Sequence, residues 1–212
     1  MHDFIYVTKS ESKQVRDELY AIIHEVQDIV RKEYLTFQFR PVGSSSRNMI
    51  TCDLKSNIGF DFDFDLIINN YNKYDPAKIR HIVKNAIDLV APQYSYKHCE
   101  DSTRVLTIKM VDTYSSKIVH SCDFALIRNC NDGRQQYIRF NKQNQNYTWE
   151  FQGKELRNFD KRFNWLKNSE YWEELQQYYL NKKNRNNNPD KHSRSILAES
   201  VNEMYQKKQQ CQ

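Results

Sequence analysis

Phe60-Asp61-Phe62-Asp63-Phe64-Asp65 alternates aromatic and acidic side chains without a break, and it constrains the fold more than any other stretch of the chain. A period of two is the signature of a strand, whose residues i and i+2 share a face about 7 Å apart. Asp61, Asp63 and Asp65 therefore form a row on one face, with Phe60, Phe62 and Phe64 buried behind them. Leu66-Ile67-Ile68 continues the strand as a wholly apolar run. Three carboxylates in a row repel one another unless a cation sits among them. Hard oxygen ligands of this kind suit Mg²⁺ or Mn²⁺, which keep positions open for phosphate oxygens. The competing reading is a half-exposed acidic strand that binds nothing.

Upstream, an apolar run over 37–42 feeds Gly43-Ser44-Ser45-Ser46-Arg47-Asn48. A glycine followed by serines makes a turn that can offer backbone N–H groups and hydroxyls to an anion. An ordinary turn uses the same residues. Downstream, Asp123 interrupts the mostly apolar run Ser121-Cys122-Asp123-Phe124-Ala125-Leu126-Ile127. A carboxylate in such a strand is costly unless it is paired, bound to metal, or placed at an exposed end.

In this order the three features resemble the nucleotidyltransferase superfamily that includes DNA polymerase β. Its pattern is a Gly-Ser turn, a strand with two spaced carboxylates, and a third carboxylate on a later strand. Here these are Gly43-Ser44, Asp63-Phe64-Asp65 and Asp123. The resemblance covers roughly residues 10–130 and leans toward the branch of oligoadenylate synthetases and bacterial cyclic-oligonucleotide synthases. Two features depart from the pattern: the spacer from Ser44 to Asp63 is long, and Asp61 makes the metal-binding pair ambiguous. The apolar residues immediately after Asp65 favour Asp63 and Asp65 as the pair.

What the resemblance implies is a metal-dependent transferase that moves a nucleoside monophosphate from an NTP, ATP or GTP, to a hydroxyl acceptor. Asp63, Asp65 and Asp123 would be the catalytic and metal-holding residues, with Mg²⁺ or Mn²⁺ as cofactor. Gly43, Ser44 and Ser45 would hold the triphosphate, with Arg47 as a further contact. A C-terminal helical region would add Lys and Ser contacts, for which Lys191 and Ser193 are the candidates. Three functional classes are open: synthesis of linear or cyclic nucleotide signals, adenylylation of a protein or RNA as in toxin–antitoxin systems, and a silent nucleotide- or RNA-binding member. The acceptor is accordingly a nucleotide, an RNA or a protein.

A chain of 212 residues buries about 70% of its unfolded surface and needs no covalent staples. Its five cysteines, an odd number without CxxC spacing, point to reduced thiols and a cytoplasmic setting. No apolar run approaches the roughly 18 residues of a membrane span, so no membrane partner is expected. His120 and Cys122 are expected to pack rather than to bind zinc. The net charge of +5 suits nucleotide handling without requiring it.

The fold class expected is α+β, with a nucleotidyltransferase-like mixed or antiparallel sheet flanked by helices. The capping box Thr8-Lys9-Ser10-Glu11 opens a long amphipathic helix that runs to about Lys32. Asp75-Pro76 opens a second helix that ends before Pro92, with Arg80 and Lys84 on its solvated side. Strands follow over 104–111 and 117–128, then a hairpin from 136–140 and 147–151. From Lys154 the period becomes helical, with Leu156, Phe159, Phe163 and Leu166 on one face. Two more helices begin after Ser169 and near Ser193, separated by an asparagine-rich loop over 184–190, and residues 206–212 should fray. Residues 1–152 thus form the catalytic core, and 153–212 a helical region packed on it.

Overall fold

The computed structural model describes residues 2–153, 158–188, 191 and 193–210. The chain divides into two compact units, 6–52 with 57–152, and 1–5 with 53–56 and 153–212. The larger is the sheet unit and the smaller is helical.

After the short strand β1 (Phe4–Tyr6), the sheet unit opens with α1 (Lys9–Lys32). Thr8 caps α1, its hydroxyl accepting from the Glu11 N–H at 3.2 Å. Leu19, Ile22, Ile23, Val26 and Val30 recur at helical spacing and are buried. Then come β2 (Phe37–Val42), a 3₁₀ turn at Ser45–Arg47, β3 (Thr51–Asp53) and β4 (Phe60–Ile68). Helix α2 (Pro76–Val90) starts at Asp75, whose carboxylate accepts from the Lys78 N–H at 2.9 Å. The strands β5 (Glu100–Asp101), β6 (Leu106–Asp112), β7 (Lys117–Asn129), β8 (Gln135–Asn141) and β9 (Asn146–Phe151) complete the unit.

Seven of these strands form one mixed sheet in the order β2-β4-β7-β6-β5, with β8 pairing β7 and β9 pairing β8; β1 and β3 pair separately. Only β4 and β7 run parallel among the sheet's pairs. Their two inward rows, Phe60, Phe62, Phe64 and His120, Cys122, Phe124, lie in register and are buried together with the apolar stripes of α1 and α2. The opposite face carries the aspartates. A mixed α+β sheet flanked by helices is therefore observed.

Two expectations need correcting. Arg80 is not on a solvated face: its exposure is 0%. Its guanidinium donates to Asp101 at 2.8 Å and to the carbonyls of Ile138, Ser102 and Val105. Arg80 lies three and seven residues before the buried Val83 and Ile87, so its side chain shares their side of the helix. Residues 206–210 continue the last helix rather than fraying. Residues 1–5 and 53–56 group with the helical unit.

The helical unit contains α3 (Phe159–Lys167), α4 (Trp172–Arg185) and α5 (Ser193–Gln210). Phe163, Leu166, Leu175, Tyr179, Ile196, Leu197, Val201 and Met204 are its buried apolar side chains. The N-terminal segment is tied in by Asn184, which accepts from the Phe4 N–H and donates to the Phe4 carbonyl. His2 bonds the buried Asp53 carboxylate at 2.7 Å. Leu156 and residues 189–190 of the expected loop lie outside the described residues. No helix among the described residues is long and apolar enough to cross a membrane.

Candidate active site

The alternation of β4 and the register of its neighbours build the acidic face. Asp63 pairs with Asp123 across the parallel β4–β7 ladder, and Asp61 pairs with Ser121. Residues in register across a sheet point to the same face, so Asp61, Asp63, Asp65 and Asp123 share one surface. On the other side of β4, Val42 pairs with Asp63 and Arg40 with Asp65. Strand β2 then runs straight into the Gly43 turn.

The four carboxylates are not equivalent. Asp65 is buried, and the Arg40 guanidinium donates to its Oδ2 from Nε at 3.0 Å and from Nη2 at 2.8 Å. Nη2 of Arg40 also reaches Gln135 Oε1 at 3.1 Å. Asp65 is thus a neutralised partner. Asp61 accepts from the Ser121 hydroxyl, and Asp123 Oδ1 accepts from Thr107 Oγ1 at 2.5 Å. Asp63 has no such hydrogen bond among the described residues: burial first, then the charges of Asp123, Asp61 and Asp65, push its carboxyl up to about 7. Burial also raises the Asp123 carboxyl, opposed by the Thr107 hydrogen bond.

Gly43 stands directly against this centre. Its φ is +66°, and a Cβ built there would lie 2.4 Å from Asp63 Oδ2. Only glycine adopts this left-handed backbone cheaply and leaves room for the carboxylate. Beyond it the Ser44 carbonyl accepts from the Arg47 and Met49 N–H groups, closing the turn. The Ser44 hydroxyl has no hydrogen-bond partner among the described residues, whereas Ser45 Oγ is spent on the Val42 carbonyl and is buried. Arg47 Nη1 donates to the Gly43 carbonyl at 2.8 Å, bracing the turn from within.

The residues singled out in the sequence separate as follows. Asp63, Asp123, Gly43 and Ser44 come together on one face. Asp65 is on that face but engaged by Arg40, and Ser45 and Arg47 support the turn. Lys191 and Ser193 are in the helical unit: Lys191 Nζ lies 2.7 Å from Glu199, beside a cavity of about 440 Å³ also lined by Lys182, Arg185 and Asn186. Arg40, Thr107 and Ser121 come to the site only through strand register. Period two already places Asp61 with Asp63 in the sequence, as the alternative member of the metal-binding pair.

These donors suit a divalent cation chemically. Asp61 and Asp123 each engage one carboxylate oxygen in a hydrogen bond, and the Asp63 carboxyl, raised to about 7, has a proton that a cation can displace. Among the described residues no group of three or more His, Cys, Asp or Glu side chains is arranged so that it could hold a metal ion.

No protein-family model matches the sequence. A search of curated proteins finds no significant match. Solved structures do match. The structure of the Bradyrhizobium diazoefficiens CD-NTase CdnG in complex with GTP is similar at a TM-score of 0.52 and 11% identity, over 84% of this chain and 44% of that one. The Vibrio cholerae DncV cyclic AMP-GMP synthase with nonhydrolyzable GTP gives 0.66 and 13%, over 92% and 67%. Escherichia coli DncV in its 3'-deoxy GTP bound form gives 0.63 and 11%, over 92% and 68%. The chain thus spans less than half the length of the CdnG chain and about two thirds of these DncV chains. At such low identity the likeness speaks for the architecture: this chain has the nucleotidyltransferase fold of the DncV and CdnG structures.

Proposed function

We propose that the chain is a metal-dependent nucleotidyltransferase that moves a nucleoside monophosphate from an NTP to a hydroxyl acceptor. The observation that carries the reading is the register of Asp63 with Asp123, with Gly43 packed against the same carboxylate. Asp61, Asp63 and Asp123 are the residues assigned to Mg²⁺ or Mn²⁺. Asp65 is assigned the partnership with Arg40 instead. When bound, the metal supplies charge stabilisation for the attacking and leaving oxygens of an in-line displacement.

The chain's own groups do the rest. The unengaged Ser44 hydroxyl and the turn after Gly43 hold the triphosphate. Asp123 Oδ2, left over by Thr107, takes the proton of the acceptor hydroxyl. The acceptor oxygen bonds to the α-phosphorus, the α–β bridging P–O bond breaks, and its electron pair leaves with pyrophosphate. DncV and CdnG were solved with GTP or its analogues, which supports an NTP as donor and makes nucleotide-signal synthesis the first class to test. The test is incubation of the purified chain with each α-labelled NTP and Mg²⁺ or Mn²⁺, resolving the products. Labelled oligonucleotide, cyclic product or labelled protein is expected, with release of pyrophosphate. No labelled product under any of the four NTPs would overturn the reading.

A further inference from the structure

We infer that Thr107 and Ser121 are positioning residues for the metal: their hydroxyls orient Asp123 and Asp61 so that one oxygen of each faces Asp63. This rests on the reading above and assigns roles to two residues outside the acidic set. The geometry is paired. Ser121 stands opposite Asp61 on β7, and Thr107 stands opposite Asp123 on β6. Each hydroxyl donates to the Oδ1 atom of its aspartate, and Oδ2 has no hydrogen bond among the described residues. Asp63, between them, receives no such bond and is the carboxylate most burdened by its neighbours' charges.

A hydroxyl can rotate to donate, so it holds a carboxylate without adding charge that competes with a cation. A Lys in the same place would repel the metal. Here the nearest cation on that face of β6, Lys109, is drawn off to Glu100 at 2.6 Å. Hydrogen-bonded ligands are pre-aimed, so binding does not have to freeze their rotamers, and such outer partners typically contribute 10- to 100-fold in metal affinity. Ser121 is buried and Thr107 half-buried, so neither hydroxyl is simply an exposed surface group.

The test is Mn²⁺ binding to the full chain, read from the EPR signal of free Mn²⁺, for wild type, Thr107→Val, Thr107→Ser and Ser121→Ala. Thr107→Val keeps the shape and the strand preference and removes only the hydroxyl. About a 10- to 100-fold loss of affinity is expected for Thr107→Val and for Ser121→Ala, with Thr107→Ser within a few-fold of wild type. Thermal unfolding without metal reports whether each variant is folded, and Ser121→Ala, on a different strand, stands in if Thr107→Val is not. Unchanged or tighter Mn²⁺ binding by the hydroxyl-free variants would overturn the inference, as would Thr107→Ser binding as weakly as Thr107→Val. Wild type that binds no Mn²⁺ would instead overturn the metal assignment itself.

Discussion

Asp63 and Asp123 face each other in register across the one parallel pair of the sheet, and neither strand alone would make a site of them. Both are half-buried, and the charge of Asp123 helps to raise the proton affinity of Asp63, which is a standing electrostatic cost in the metal-free chain.

That cost has a pH dependence. The Asp63 carboxyl is raised from 3.8 to about 7 in the folded chain. Between those values the folded state holds a proton that the unfolded state has lost, so this group's contribution to stability is full below about pH 4 and is lost as pH rises through 7. A cation displaces the same proton. Mn²⁺ affinity should therefore fall about tenfold per pH unit below 7 and level off above it. Calorimetric titrations between pH 5.5 and 8.5 check this, and a flat profile would contradict it.

Replacing the carboxylates one at a time separates ligand from scaffold. Asp61→Asn, Asp63→Asn and Asp123→Asn should each cost about tenfold or more in Mn²⁺ affinity, while Asp65→Asn stays within a few-fold. Asp63→Asn should also raise the melting temperature of the metal-free protein above pH 7, because it removes the repelling charge. Asp65→Asn should lower it, since Arg40 loses its charged acceptor. If Asp65→Asn abolished metal binding and Asp61→Asn did not, the pair expected from the sequence would be restored.

Two glycines with positive φ form a natural control. Gly133 has φ +80° and nothing within 4 Å of a built Cβ, whereas Gly43 has Asp63 Oδ2 at 2.4 Å. Gly133→Ala should cost only the left-handed backbone strain, about 1–2 kcal/mol in urea unfolding. Gly43→Ala should cost that much and additionally weaken Mn²⁺ and NTP binding. Equal binding by the two variants would show that the closeness of Gly43 to Asp63 has no functional weight.

Arg80 supplies the stability test. Its buried guanidinium satisfies Asp101 and three backbone carbonyls, and Tyr147 donates to the same Asp101 at 2.8 Å. Arg80→Ala strands those acceptors and should cost about 3–5 kcal/mol. Arg80→Lys keeps the charge but not the fork of donors, and should recover only part of this. Denaturant unfolding measures both; a loss under about 1 kcal/mol for Arg80→Ala would show that water replaces the guanidinium.

Local sequence determined much of this protein. Period-two alternation fixed β4 and the face of its aspartates, helical spacing fixed α1 and α2, and Asp75-Pro76 fixed where α2 begins. These are short-range properties, set by backbone geometry and by which side chains tolerate water. Tertiary structure decided what each carboxylate does. The apolar residues after Asp65 favour it over Asp61 in the sequence, yet β2 brings Arg40 to Asp65 while β7 brings Ser121 to Asp61. Arg80, beside a buried stripe, was settled in the same way, by acceptors that β5, β8 and the loop before β6 deliver. A side chain's charge is written in the sequence; the partner that compensates it comes from strands far along the chain, and only their pairing register selects it.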